Sequence, residues 1–473
     1  MGRFAFALRT FGCQMNVADD DALARELAAR GGVQVSDANL ADLIIVNTCV
    51  VRQKAEDKAF SFVGALKQLA EGEPLAQPVR LNAPKLTAQG EPPPRTRARP
   101  AVVVVGCLVP KSGAELRRKF GFVDAVAATS EPSEVIAAIE AVMPLPPPDA
   151  SAAPAGLVRT SEALPESCTA AAGGDGVALS TRQSGLITVQ RGCSHGCSFC
   201  IVPSVRGPET SVPVERIVDE VNFYHARGFN EVTLLGQNIL SYGSDWGFSP
   251  DFVEMMEAVL AQTEVPWVSF LTSQPHDMSE EIVRRVIAHP RVTPLLHLPV
   301  QAGSNAVLAR MRRGYSVEAY ERWVERVRAA RPDVFLTTDF ICGFPGETEE
   351  DFAQTLALVE RVRFNDAFMF AYSPREGTAA AKLDGEVPVA ERKRRLNELI
   401  ALQRRIAQEA NAKYAGLTLD AIVEQAGGQR AVARTAFNKP VVLPRTRRAP
   451  GEFTRVRITE VVVSSFKGEE VAP

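Results

Sequence analysis

LITVQRGCSHGCSFC (Leu186–Cys200) runs a short apolar, β-branched stretch into three cysteines spaced C-x3-C-x2-C. The apolar stretch reads as a strand that delivers a cysteine-bearing loop. Further on, comparable runs recur as EVTLLG, WVSFLT, VTPLLHLPV, VFLTTDFI and DAFMFAY. Helical patterns such as PVERIVDEVNFYHARG and ETEEDFAQTLALVERVR separate them. Strands alternating with helices build parallel sheets. Six such units suit an open, incomplete (β/α)6 barrel, two units short of the usual eight. Cys193, Cys197 and Cys200 then lie on the first loop at its C-terminal mouth, where barrel chemistry is found.

Residues 1–142 show the same alternation on a smaller scale. RFAFALRT, DLIIVNT and AVVVVGC read as strands, with helical segments ADDDALARELAARG, VRQKAEDKAFSFVGALKQLAE, Lys111–Lys119 and Pro132–Val142. A small doubly wound α/β domain with a parallel sheet is expected. A proline-rich insert at about residues 73–100 interrupts it, basic at its end through Arg95, Arg97 and Arg99, and reads as a solvated loop. Residues 143–184 read as a linker holding the isolated Cys168. The barrel is assigned to 185–413, closing on the charged helix VAERKRRLNELIALQRRIAQEANAKYAG. Residues 414–473 read as a small β-barrel of short strands.

Within the first domain, Cys13, Cys49 and Cys107 each follow a predicted strand. All strand C-termini of a parallel sheet lie along one edge, so three thiols distant in sequence converge. No histidine and no fourth cysteine stands in this domain, whereas structural zinc wants four ligands. An iron–sulfur cluster with one open iron, or an open-site metal, remains. For the second set zinc with His195 is conceivable, but His195 sits inside the loop between two ligands.

The composition is that of a soluble globular chain, with 46% apolar and 23% charged residues and a net charge of −3 over 473 residues. No apolar run nears the ~20 residues of a membrane span, and the N-terminus lacks a signal-peptide pattern, so a cytoplasmic protein is expected. A polycation is excluded; RNA binding would need a local patch. From Gly416 to Pro473 there are nine Lys/Arg against six Asp/Glu, with Arg445, Arg447 and Arg448 clustered.

The C-x3-C-x2-C motif, with Phe199 before its last cysteine, resembles the signature of the radical S-adenosylmethionine superfamily. TFGCQMN, NTCVVRQKAEDK, RGCSHGCSFCIVPSVRG, LLGQNILSYG, HLPVQAGSN, DFICGFPGETEEDF and YSPREGTAA, in this order, resemble tRNA methylthiotransferases of the MiaB type. The last domain is similar to the TRAM barrel of those proteins. The resemblance implies two 4Fe-4S clusters, one on Cys193, Cys197 and Cys200 with S-adenosylmethionine on its open iron, the other on Cys13, Cys49 and Cys107 for sulfur delivery. It implies methylthiolation of C2 of N6-isopentenyladenosine at position 37, in the anticodon loop of tRNA, by a monomer served by an electron-donor protein. Gln237, Asn238, Ser273 and Gln301, at strand ends, are the candidates for holding S-adenosylmethionine; Arg445, Arg447 and Arg448 are those for RNA. Gln14 and Met15 favour isopentenyladenosine over threonylcarbamoyladenosine or a ribosomal protein. Departures such as Ala302, Val109-Pro110 and Arg312 replace no cysteine. A non-catalytic, zinc-containing RNA-binding protein is the rival of a different class.

Overall fold

Residues 3–50, 53–75, 79, 81–82, 86–88, 93–128, 131–148, 157–159, 183–427, 430–463 and 465–471 are described by the computed structural model. Cys168 lies outside them. The chain divides into two units, Met1–Ala171 with Ser204–Arg206, and Ala172–Pro203 with Gly207–Pro473.

The first unit is built on β1 (Phe4–Phe11), β2 (Gly32–Gln34), β3 (Leu43–Thr48), β5 (Ala101–Gly106) and β6 (Ala125–Ala127), with β4 (Leu86–Ala88) outside this sheet. The order is β2-β1-β3-β5-β6 and every pairing is parallel. β3 and β5 are buried at every residue, as central parallel strands covered on both faces must be. Phe4, Phe6, Leu23, Leu27, Ile45, Val103, Val135 and Ile139 pack the core on one face. β2 and β6 were not expected from the sequence; at three residues each they are too short to display a period.

The insert and the linker also depart from expectation, since β4 pairs antiparallel with β7 (Leu157–Arg159). The basic end of the insert is tied back to the domain. Arg99 pairs with Asp124 at 2.6 Å, and the fully buried Asp42 accepts the backbone N–H groups of Ala5, Thr96 and Arg97.

The second unit opens with β8 (Ser184–Thr188). It is followed by the hairpin strands β9 (Gln190–Arg191) and β10 (Thr210–Ser211), then β11 (Glu231–Leu235), β12 (Trp267–Leu271), β13 (Leu295–His297), β14 (Phe335–Cys342) and β15 (Asp366–Ala371). β8-β11-β12 and β13-β14-β15 form two parallel triplets, joined by a parallel bridge between Val268 and Val292. These six strands are the expected incomplete barrel. The helix Val389–Asn411 leads into β16 (Thr418–Gln425), β17 (Ala431–Thr435), β18 (Pro440–Leu443), β19 (Phe453–Val461) and β20 (Phe466–Glu470), a closed five-stranded barrel.

This small barrel docks on the first residues of the parallel strands, at the end opposite the mouth. Arg434 donates to Glu231 at the start of β11 and, at 2.9 Å, to Glu424. Lys439, fully buried, reaches Asp366 at the start of β15 at 3.2 Å. Trp267 meets Phe453 edge-on at 4.9 Å, and Phe335 stacks on Phe437 at 4.8 Å. Two of the nine cations counted in this domain therefore serve docking.

Removing one partner of a buried ion pair strands the other charge, at a cost of about 3–5 kcal/mol. Arg434→Ala is expected to weaken docking on that scale, read as faster amide hydrogen exchange across β16–β20. Arg434→Ala combined with Glu231→Ala should be milder than the single change; a double variant as damaged as the single one contradicts this account.

Candidate functional site

In the first unit, strand register brings the dispersed cysteines to one edge. Phe11 pairs with Thr48, and Thr48 with Gly106, so the last residues of β1, β3 and β5 stand side by side. Cys13, Cys49 and Cys107 follow at once, beside the point where the strand order reverses. Cys13 is exposed, while Cys49 and Cys107 are buried. A hydrogen bond from Cys49 holds the Cys13 thiol down to about 5, helped by the nearby Arg206 charge. Burial pushes Cys107 up, opposed by Arg206, whose Nε donates to its sulfur at 2.9 Å. Gly106 is required here: its φ is +100°, and a Cβ would lie 2.5 Å from the Thr48 carbonyl oxygen.

A buried polar chain supports this edge. Asn16 accepts the Cys13 backbone N–H at 3.2 Å and donates to Asn47 Oδ1 at 2.8 Å. Asn47 in turn donates to Asp20 at 2.7 Å, and Thr10 donates to the same carboxyl. Burial raises Asp20 to about 7 against those two hydrogen bonds.

In the second unit, the β9–β10 hairpin closes the base of the loop carrying Cys193, Cys197 and Cys200, with Cys193 N–H donating to the Gly207 carbonyl at 3.1 Å. Gly192 sits at φ +75° where a Cβ would meet the Pro208 oxygen at 1.9 Å. All three cysteines are half-buried; burial pushes Cys193 up to about 12 and raises Cys200. Ser198 holds the middle of the loop, its N–H on the Met311 carbonyl at 3.0 Å and its hydroxyl on that of Arg310 at 2.8 Å.

Both ring nitrogens of His195 are engaged by neighbouring side chains. Gln274 donates to Nδ1 at 3.0 Å and Asp277 takes Nε2 at 2.9 Å. The Asp277 hydrogen bond raises His195. Burial pulls Asp277 upward, yet the His195 and Asn238 hydrogen bonds outweigh it and hold the carboxyl below its ordinary value. Asn238 donates to Asp277 at 2.6 Å and accepts the Gln274 backbone N–H at 3.1 Å. Its side chain is thus committed to orienting the loop. Asp277, Gln274 and Arg313, whose Nη1 donates to Cys197 Sγ at 3.1 Å, were not singled out in the sequence.

The other strand-end candidates fare differently. Gln237 Oε1 and Ser273 Oγ are buried without a hydrogen-bond partner, as are Thr188 Oγ1 at the end of β8 and Gln190 Oε1 at the start of β9. Buried polar atoms normally find partners. Orphans at the C-terminal ends of the adjacent strands β8, β11 and β12 fit a ligand rich in amine, carboxylate and hydroxyl groups. Gln301, at φ +73°, joins its backbone to β14 through Asp339 and Ile341. Arg445, Arg447 and Arg448 are exposed between β18 and β19, with Arg448 3.8 Å from Glu470. Among the described residues, no three His, Cys, Asp or Glu side chains close around the position of a single metal ion.

Residues 187–359 match the radical SAM superfamily model, and residues 5–80 match an uncharacterized protein family, UPF0004. The chain is 36% identical, over 99% of both chains, to the tRNA-2-methylthio-N(6)-dimethylallyladenosine synthase of Carboxydothermus hydrogenoformans. It is 37% identical to the enzyme of that name from Geobacter metallireducens, over 98% of this chain and 97% of the relative. In fold it is similar to the radical S-adenosylmethionine methyltransferase TsrM from Kitasatospora setae, solved with cobalamin and a 4Fe-4S cluster, at a TM-score of 0.52 and 16% identity over 80% of this chain and 77% of that one.

Asp20 generates a pH prediction. Between 3.8 and about 7 the folded chain keeps a proton that the unfolded chain has lost, so stability falls as pH rises through that window. Asp20→Asn removes this dependence. Calorimetry of the iron-free full chain should show the variant gaining on wild type as pH approaches 7; parallel profiles would contradict the assignment.

Proposed function

The chain belongs to the tRNA-2-methylthio-N(6)-dimethylallyladenosine synthases, and from that membership we propose how its residues divide the work. It is a radical S-adenosylmethionine methylthiotransferase acting on tRNA, and it uses a 4Fe-4S cluster and S-adenosylmethionine. The nucleoside is N6-dimethylallyladenosine, also called isopentenyladenosine, at position 37, and the carbon modified is C2. Cys193, Cys197 and Cys200 hold the cluster that engages S-adenosylmethionine. When bound, these two groups supply a carbon radical able to take hydrogen from an unactivated aromatic carbon.

Gln237, Ser273 and Gln301 line the place for S-adenosylmethionine; the orphaned oxygens of the first two support this. Asn238 is better read as a positioning residue than as a contact to S-adenosylmethionine, since its amide is spent on Asp277 and Gln274. Cys13, Cys49 and Cys107 would hold a second 4Fe-4S cluster, which would supply the sulfur for insertion, and a further S-adenosylmethionine would supply the methyl group. The register Phe11–Thr48–Gly106 is the observation that carries this part, because it sets three otherwise unrelated thiols on one edge. Arg445, Arg447 and Arg448 grip RNA phosphates, and an electron-donor protein supplies the reducing electron.

A deletion strain should lose 2-methylthio-N6-isopentenyladenosine from its tRNA and accumulate the unthiolated nucleoside, measured by mass spectrometry. Wild type restores the product; a Cys13→Ala, Cys49→Ala, Cys107→Ala variant should not, and should bind about four irons rather than about eight. Persistence of the product in the deletion strain overturns the substrate assignment. Unchanged iron in the triple variant overturns the second cluster.

A further inference from the structure

We propose that Arg313 is a positioning residue that poises the cluster on Cys193, Cys197 and Cys200 for reduction, by placing a permanent positive charge on the Cys197 sulfur. The case begins with what surrounds the guanidinium. Arg313 is only 6% exposed. Its Nη1 donates to Cys197 Sγ at 3.1 Å and to Gln274 Oε1 at 2.9 Å, its Nη2 to the Pro299 carbonyl at 3.3 Å, and its Nε to the Tyr315 hydroxyl at 3.0 Å.

A buried cation is costly unless an anion compensates it. The buried arginines Arg392, Arg395 and Arg434 each meet that demand with a glutamate. Among the described residues Arg313 has no carboxylate partner; apart from Cys197, every group it touches is neutral. The fold therefore aims this charge at a sulfur that becomes a thiolate when it binds iron. Carried by iron, that thiolate belongs to a cluster whose potential follows net charge and hydrogen bonds to its sulfurs. An added electron makes the cluster more negative, so a fixed cation beside one of its sulfurs favours the reduced form.

The position of the charge is secured by the same network that orients the loop. Gln274 accepts from Arg313 with its oxygen and donates to His195 with its amide, and His195 rests on Asp277. Arg313 and His195 are thereby held to one side chain, and the loop between Cys193 and Cys197 is fixed relative to the guanidinium.

The inference rests on Cys193, Cys197 and Cys200 holding the first cluster. That premise is tested separately: a variant with all three changed to Ala that still binds S-adenosylmethionine-responsive iron would remove it. The inference itself is tested by redox titration followed by electron paramagnetic resonance, in anaerobically reconstituted protein. The background carries Cys13→Ala, Cys49→Ala and Cys107→Ala, so that only one cluster is observed. Arg313→Gln should make reduction at least tenfold less favourable, a fall of ~59 mV for one electron. Arg313→Lys, which keeps the charge, should stay near the parent value. If Arg313→Gln does not retain iron, Gln274→Glu decides, because a carboxylate there offsets the guanidinium in place and should lower the midpoint likewise. An unchanged midpoint in Arg313→Gln, or in Gln274→Glu where that variant decides, overturns the proposal, as does an equal fall in Arg313→Gln and Arg313→Lys.

Discussion

Parallel pairing is the constraint on which both units depend. A parallel sheet sends every strand the same way, so loops following different strands meet along one edge however far apart they lie in sequence. In the first unit this lines up the ends of β1, β3 and β5, and with them Cys13, Cys49 and Cys107. In the second it places the cysteine loop after β8 beside the segments that follow β11 and β12, which carry Asn238, Gln274 and Asp277. Chemistry at the C-terminal edge leaves the N-terminal edge of the parallel strands for a different use. The C-terminal barrel takes it, through Glu231, Trp267, Phe335 and Asp366.

That use shows what a count of charges conceals. Arg434 and Lys439 belong to the same basic domain as Arg445, Arg447 and Arg448, and composition treats the five alike. In the folded chain the first two are buried against carboxylates of the parallel strands, while the other three are exposed. Composition records how many charges a segment holds but not which way they face. Arg99 gives the same lesson on a smaller scale, since its partner Asp124 lies on the far side of β5 in sequence.

Much of the candidate site was legible because its cysteines are unusually grouped. Three cysteines in eight residues, and three more at strand ends, stand out against a globular background. The six strands of the incomplete barrel were legible too, since most are long enough to show an apolar run. The three-residue strands β2 and β6 were not, nor was the pairing of β4 with β7. The support of the cysteine loop stayed hidden for another reason. Asp277, Gln274 and Arg313 reach their partners on the loop from 82, 79 and 116 positions away. Aspartate, glutamine and arginine in such places look like ordinary surface residues until the fold buries the last two and sets the first, half-buried, against the loop.

Each cysteine set contains thiols that burial raises and a guanidinium in contact with one of its sulfurs. At the edge of the first unit, the Cys49 hydrogen bond and Arg206 hold Cys13 below the ordinary thiol range, while burial raises Cys107. In the barrel loop, burial lifts Cys193 to about 12, so that thiol gives up its proton only to a strong competing cation. Iron is such a cation, and thiolate ligands are the form it binds. A guanidinium beside a buried or half-buried sulfur acts through a medium less polarisable than water and is felt more strongly there than in solvent. In the cysteine loop that guanidinium is Arg313, anchored by Gln274 and, among the described residues, without a carboxylate to neutralise it.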